Sequence, residues 1–545
     1  MRSKISLNKV VFLATMIISP QFLFAQSSSN NVTLIGALII IGALILVAAV
    51  VTVSENLLQI EAKKHGVSGR GKSVSLFPSI ADFSGSKLPS YIDGQGAFVL
   101  KKGYDINLAG KPSDEVFKKP VSTYSLRPPN FRGIAPIPKL VVAEKDEVLA
   151  GDVIFYDKSN ENIKYCSPVS GEIIEVRRGA KRAITDIVIL ADKKQQYKEH
   201  KVPDISKVKR EALVSFLLES GLWPLINERP YDIVADPEKV PSNIFISTFD
   251  TAPFAPKTNI VMDGNEEAFQ KGIDVLSKLT DGTVHIGLDA NSDSAPSSAL
   301  TGVKNAQTHW FVGKHPSGNV GVQIHHIAPI KAGQSVWTLP LQNVIAIGRM
   351  FTSGTYDVSK IITIGGSVEG KQAHYSTVMG ASIGDLLGQK NDLQGKRVIS
   401  GDILTGRATG KNDFLDASAD QISVLEEGDY HEMFGWLLPL APRPTISKTF
   451  PNFLYPSLEM EGNTNTHGEK RAFVVTGEYE KVLPMNIYPQ HLMKAIMAGD
   501  FEQMEGLGIY ELSEEDIALC EFACTSKMPL QSILREGLDM MREQG

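Results

Sequence analysis

Asn243–Ala255 reads NIFISTFDTAPFA. An apolar run, Ile244–Ile246, ends in a turn with Pro253, which predicts a buried strand and its exit loop. The stretch that follows, NEEAFQKGIDVLSKLT at 265–280, carries its apolar residues at helical spacing, and GTVHIGLD at 282–289 is a second strand. Strand, helix, strand is the order of an α/β domain of Rossmann-like type. A dinucleotide-binding strand would exit into G-x-G-x-x-G, because the backbone there must approach a pyrophosphate closely. Here Thr248, Phe249, Asp250 and Thr251 stand at that point, so neither NADH nor a flavin is assigned to the domain.

KHPSGNVGVQIHH at 314–326 closes the same domain and gathers His315, His325 and His326. Read as extended chain, His325 and His326 point to opposite faces and cannot share one metal ion. No Cys or carboxylate cluster stands beside them in sequence to complete a site. The expectation is therefore no metal site, but a backbone loop turned by Gly313, Gly318 and Gly321, with one buried, hydrogen-bonded histidine.

Before this domain, KLVVAEKDEVLAGDVIFYD at 139–157 and IKYCSPVSGEIIEVRRGAKRAITDIVIL at 163–190 alternate apolar and polar residues between turn signals. EKDEVLAGDVI and SPVSGEIIEV resemble the barrel-sandwich fold of biotinyl and lipoyl domains. The tip DKSNENIKY lacks the Lys flanked by Met or Ala that such carriers modify, so Lys158 and Lys164 are read as surface lysines of a structural β-module. DISKVKREALVSFLLESGLWPL at 204–225 predicts an amphipathic helix stopped near Gly221 and Pro224. After the α/β domain, KIITIGGSVEGKQAHYSTVMGASIGDLLG at 360–388 resembles a β-grasp module of the soluble-ligand-binding type, with Ser382 as a helix N-cap.

The N-terminus is of another kind. Val10–Ala25 has the length and basic flank of a signal-like segment. Val32–Val53 carries no charge and, as a helix, would span roughly 33 Å, enough for a bilayer core. Lys63, Lys64, Arg70 and Lys72 follow it, whereas QSSSNN before it has no basic residue, so the positive-inside rule places the body in the cytoplasm. Residues 65–96 are rich in Gly and Ser and read as a flexible tether. The whole chain has 545 residues, 43% of them apolar, too many for one core. Its net charge of −6 excludes a general nucleic-acid binder, and three cysteines are too few for a disulfide scaffold.

These readings divide the chain into a signal-like segment at 1–31, a transmembrane helix at 32–53 and a tether at 54–96. An α+β multidomain body follows: barrel-sandwich at 97–200, Rossmann-like α/β domain at 201–335, β-grasp module at 336–425, and a C-terminal region at 426–545 ending in helices. In that last region LSEEDIALCEFAC at 512–524 places Ser513 and Asp516 at capping-box spacing, and Cys520 and Cys524 one helical turn apart. Two thiols cannot hold a four-iron cluster, so they are read as buried packing residues.

From about Ala97 onward the chain resembles the A subunit of the sodium-translocating NADH:quinone reductase. The motifs that carry the resemblance are KKGYDINLAG, SPVSGEIIEVRRGAKR, LLESGLWPL, FDTAPFAP, HPSGNVGVQIHH, VMGASIGDLL, MFGWLLP, TGEYEKVLPM and LSEEDIALCEFAC. Residues 1–96 depart from the family pattern, in which this subunit has no span of its own. The body is also similar to the NADH-binding flavoprotein subunit of respiratory complex I and to the C subunit of the Rnf complex, though the latter would need two cluster-binding cysteine runs that this chain lacks. The resemblance implies a bacterial inner-membrane complex that uses NADH, flavins, iron–sulfur and quinone, and exports sodium. It implies that this subunit binds no cofactor of its own, carries no catalytic residue, faces the cytoplasm, partners the other subunits and is linked to quinone. A quinone needs an aromatic face and a hydrogen-bond donor. RPPNFRGIAPIP offers Phe131, Arg132 and Gly133, with Pro128, Pro129, Pro136 and Pro138 stiffening the loop. The alternative is a non-catalytic assembly subunit of the same kind of complex.

Overall fold

The computed structural model describes residues 38–44, 46, 47, 50, 53, 54, 57, 88–92 and 96–544, except 135–137, 293, 389–391, 434–441 and 448–456. The chain forms two compact units, Met1–Ala97 and Phe98–Gly545. The signal-like segment at 1–31 lies outside the described residues, as do most of the tether at 54–96, Pro136, and all of MFGWLLP after Met433. Within the expected span at 32–53 the described residues are helical. Among all described residues no helix is long and apolar enough to cross a membrane.

The first strands are β1 (Ala97–Val99) and β2 (Ser113–Lys118), which leave their sequence neighbours to edge two later sheets. The barrel-sandwich follows: β3 (Thr123–Leu126), β4 (Lys139–Leu140), β5 (Glu147–Val148), β6 (Val153–Tyr156), β7 (Lys164–Cys166), β8 (Gly171–Arg178) and β9 (Ile184–Ala191). They form a four-stranded sheet, β3-β9-β8-β5, over a three-stranded one, β4-β6-β7. Alternation along each strand turns Ile154, Ile173, Ile187 and Ile189 inward, each with no exposed surface. Phe155 and Tyr165, opposite each other on the paired strands β6 and β7, stack at 4.6 Å.

Helix α1 (Arg210–Glu219) leads into the α/β domain and ends beside Gly221, whose φ of +74° suits glycine. The domain holds β10 (Asn227–Arg229), β11 (Ile233–Val234), β12 (Ile244–Ser247), α2 (Thr258–Met262), α3 (Glu266–Leu276), β13 (Val284–Asp289), α4 (Ser298–Thr301), β14 (Gln307–Val312), α5 (Val320–Ile327), β15 (Val336–Pro340) and α6 (Leu341–Ser353). Its sheet runs β1-β14-β13-β12-β15-β10-β11, with β12, β13, β14 and β15 parallel. The domain thus continues through α6, past the expected boundary at 335. VWTLP at 336–340 is a fully interior strand, and its partner β12 lies about ninety residues earlier, beyond the reach of local pattern. Trp223 and Trp337, both fully buried, meet edge to face at 5.3 Å. Helices α3 and α6 cross closely: a Cβ on Gly348 would stand 1.7 Å from the Ala268 carbonyl oxygen.

The β-grasp module comprises β16 (Ser359–Gly366), β17 (Ala373–Val378), α7 (Ile383–Leu387), β18 (Lys396–Ser400), β19 (Arg407–Thr409) and β20 (Gln421–Glu426). Its sheet, β19-β18-β20-β16-β17-β2, recruits β2 from the segment expected to belong to the barrel-sandwich. Ser382 caps α7, its hydroxyl accepting the Asp385 N–H. Five helices end the chain: α8 (Tyr479–Val482), α9 (Pro489–Ala498), α10 (Phe501–Gly506), α11 (Glu514–Ala523) and α12 (Leu530–Gln544). Leu530, Ile533, Leu534, Leu538 and Met541 form one apolar stripe along α12, the i, i+3, i+4 pattern of a helix packed on a core. Ser513 and Asp516 make the expected capping box at the start of α11.

Candidate functional site

The order of the parallel strands reverses at β12: β13 and β14 lie on one side, β15 on the other. In an open α/β sheet the chain leaves such neighbouring strands in opposite directions, so a crevice forms outside their carboxyl ends. Here it is a cavity of about 530 Å³. Thr248, Phe249 and Asp250 after β12 line it, as do Leu339 and Pro340 of β15 and the residues that open α6. The β-grasp module adds Asp402 and Arg407, the barrel-sandwich loop adds Asn130 and Arg132, and α11 adds Glu514 and Glu515. All three folded modules and the C-terminal helices thus meet around one space.

The wall is rich in carboxylates, and most have a cation. Arg229, fully buried, reaches Asp516 at 3.0 Å and Glu515 at 2.7 Å. Burial alone would discharge its guanidinium, but Asp516, Asp232 and Glu515 hold it charged. Arg132 pairs with Asp232 and, at 3.2 Å, with Glu514. Asp416 takes Arg127 and Arg407, and Asp420 takes Lys360 at 2.6 Å. Asp250 and Asp402 pair with no cation among the described residues. Burial, followed by the Asp402 charge, pushes the Asp250 carboxyl up to about 6. Burial and the Asp516 charge push Glu515 up to about 8 despite Arg229. Asp250 lines the cavity and is itself exposed.

The His-rich stretch is not one loop. Val320–Ile327 is helix α5, so His325 and His326 sit about 100° apart on a helix rather than on opposite faces of a strand. The alternation of Val320, Val322 and Ile324 imitates a strand, but Gly321 must lie against Asp516, where a Cβ would stand 2.2 Å from Oδ2. That contact packs α5 onto α11. His325 Nδ1 lies 2.6 Å from Glu511 and its Nε2 accepts the Asn486 N–H at 3.1 Å. His326 Nε2 bonds the Pro484 carbonyl at 2.8 Å. Both therefore join the α/β domain to the C-terminal helices.

His315 is the buried histidine, 4% exposed, and it lines the cavity. Its backbone N–H donates to Asp105 at 2.9 Å, and its ring Nδ1 shares a hydrogen bond with the Thr251 hydroxyl at 3.1 Å. Its Nε2 has no hydrogen-bond partner. Burial lowers its pKa, which keeps the ring neutral. Among the described residues no group of three His, Cys, Asp or Glu side chains is arranged to hold a metal ion.

Of the loop residues Phe131, Arg132 and Gly133, only Arg132 reaches the cavity. Phe131 turns into the barrel-sandwich core and meets Tyr165 edge to face at 4.7 Å. Gly133 sits at a φ of +85°, and a Cβ there would meet Ile233 at 3.0 Å. Cys520 and Cys524 are buried free thiols, and the Tyr479 hydroxyl donates to Cys524 Sγ at 2.8 Å. Burial raises the Cys520 thiol far above its ordinary pKa. Asp250 was visible in the opening stretch as a residue standing where glycines were sought. Asp402 and Glu515, 152 and 265 positions away, had no sequence signal that linked them to it.

Three family profiles match along the body: an NqrA N-terminal barrel-sandwich hybrid domain at 98–192, an NqrA second alpha/beta domain at 208–356 and an NQRA C-terminal domain at 361–411. The chain is 35% identical over 450 residues to the A subunit of the Na(+)-translocating NADH-quinone reductase of Shewanella frigidimarina, covering 82% of this chain and 99% of the relative. It is also 35% identical, with the same coverage, to the corresponding protein of Neisseria meningitidis serogroup A. A crystal structure of NAD+-reducing [NiFe]-hydrogenase in the air-oxidized state shares 12% identity and a TM-score of 0.29, covering 64% of this chain and 67% of that one, too slight a likeness to speak for function. With its three modules in family order and relatives matched over almost their whole length, the chain belongs to the NqrA family, the A subunits of the Na(+)-translocating NADH-quinone reductase, an oxidoreductase complex.

Proposed function

We propose that the chain serves this complex from the cytoplasmic side of the membrane, held there by Val32–Val53, as an assembly subunit that carries no redox group of its own. The observation that carries the reading is the carboxylate wall at the switch point. A nucleotide would set its phosphates outside the ends of β12 and β15, where Asp250 and Asp402 instead offer unpaired acidic groups. The arginines nearby are committed to Asp232, Glu514, Glu515, Asp516 and Asp416. Phosphate at that site would meet like charge. The basic residues after Val53 support the orientation.

Two measurements test it. Titrating the full chain with FMN and with NADH is expected to give no saturable binding at micromolar ligand, and a micromolar dissociation constant for either would overturn the assembly role. A periplasm-active reporter fused after Gly545 is expected to stay silent, and strong periplasmic activity would refute the orientation.

A second reading gives the cavity to the quinone. In its favour stands Arg132, whose side chain is still 44% accessible and can donate to a carbonyl oxygen that gains charge on reduction. Phe131 and Gly133 would act there only by shaping the loop. Saturable binding of a short-chain quinone to the full chain, weakened in Arg132→Ala, is the result that would favour this reading.

A further inference from the structure

We propose that the outer face of α9, together with the chain at 470–475 beside it, docks on an anionic lipid surface. Helix α9 buries Leu492, Met493 and Ile496, and α12 approaches Ile496 at Gly537, where a Cβ would stand 2.8 Å from that side chain. This packing fixes what looks outward: Tyr488, His491, Lys494 and Met497, at every third position, are exposed. The buried Gln490 holds the neighbouring chain against the helix, accepting the Thr476 N–H at 2.9 Å and donating to the Val474 carbonyl. Lys494 Nζ lies 5.6 Å from the centre of the Phe473 ring. The two stretches thus make one face.

That face is apolar and basic at once. Tyr488 is 63% exposed, Met497 57%, Val475 54% and Val474 53%. Single exposed apolar residues are ordinary, but four on one face mark a contact surface. Lys470, Arg471 and Lys494 are exposed among them. The Arg471 N–H donates to the Ser526 carbonyl at 3.0 Å, which brings the half-buried Lys527 close enough for its charge to feel Arg471. Carboxylates do not balance these cations: α9 has none, Glu469 stands at the edge of the strip, and Glu478 pairs with Lys481.

This chemistry fits a bilayer better than a protein partner. Lysine is depleted from protein interfaces, where its ammonium would lose its water. At a bilayer its stem lies along the acyl boundary while the ammonium reaches lipid phosphates. Tyr488 suits the same boundary, with an apolar ring and a polar hydroxyl. Each Lys or Arg close to an anionic surface strengthens binding roughly fivefold. The proposal rests on the reading above that Val32–Val53 anchors the chain, which keeps the body near a bilayer. Weak contacts suffice there, because tethering raises the effective concentration of lipid.

The probe is a nitrobenzoxadiazole dye on Val475→Cys in the full chain, reconstituted into vesicles; Cys166, Cys520 and Cys524 are buried away from the reagent. In vesicles of equal parts phosphatidylcholine and phosphatidylglycerol, its emission is expected to shift to the blue and a headgroup-level nitroxide lipid to quench it. Pure phosphatidylcholine, or the double variant Lys470→Glu, Lys494→Glu, is expected to lower the quenched fraction at least about threefold. Equal quenching in all three cases overturns the proposal. A dye left unquenched in anionic vesicles, on a chain that high salt does not release, overturns it too and leaves the anchor standing. A chain that high salt releases refutes the anchor instead; the proposal then stands if low salt restores binding and quenching together, and falls if it does not. In the assembled complex, a dye shielded from aqueous iodide but not reached by the nitroxide lipid means that a second copy or another subunit covers the face, and this rejects the lipid.

Discussion

His325 spans two modules with its two ring nitrogens: Nδ1 lies 2.6 Å from Glu511 and Nε2 accepts the Asn486 N–H at 3.1 Å. With Nε2 accepting, Nδ1 carries the proton and donates to the Glu511 carboxylate, so one neutral imidazole serves both contacts. Replacing it with alanine leaves a backbone N–H and a half-buried carboxylate without partners. A loss of about 1–3 kcal/mol in stability is expected for His325→Ala. Hydrogen exchange should show the Asn486 amide opening faster, and unchanged protection there would mean that the clamp contributes nothing.

Arg229 is a buried cation, and Asp516 beside it has no exposed surface. Arg229→Met removes the cation and leaves Asp516 buried and uncompensated. The expected cost is about 3–5 kcal/mol. Denaturant unfolding should show it as a fall in midpoint, and the double variant Arg229→Met, Asp516→Leu should recover part of the loss.

Cys520 and Cys524 are packing residues by environment: both are buried, and Cys524 takes its hydrogen bond from Tyr479. The variant Cys520→Ala, Cys524→Ala is expected to retain quinone reductase turnover in the assembled complex. It should lose stability by about 1–3 kcal/mol through the small cavities it leaves. Lost turnover in a complex that still assembles would assign the thiols a redox part.

Asp250 gives the body a pH dependence with a defined sign. Its carboxyl is raised to about 6 in the folded state from 3.8, so the folded chain holds the extra proton in that interval. The group's contribution to stability is therefore full below about pH 4 and is lost as pH rises through 6. Asp250→Asn removes this dependence. Relative to the unmodified chain it should melt about 1–3 °C higher at pH 7.5 than the difference seen at pH 4.5. An identical difference at both pH values would contradict the raised carboxyl.

The amino-acid sequence alone determined the modules and their order, because each module is written in contacts between near neighbours. Period-two alternation marked the barrel-sandwich strands, the run Asn243–Ala255 marked the first parallel strand, and Ser513 with Asp516 marked the start of a helix. Its motifs also carried the family. What tertiary structure decided lay in contacts between distant positions. Strand β15 joined the α/β sheet because β12 pairs with it, and β2 left the barrel-sandwich because β17 offers it an edge. Residues 320–327 are helix, with Gly321 packed on Asp516, against an alternation that spells strand. Phe131 went into a core that a Pro-rich loop gives no hint of, since Tyr165 waits thirty-four positions later. The cavity exists only where four segments meet, so the charges that face it, and the two carboxylates left without cations, follow from packing that no local pattern encodes.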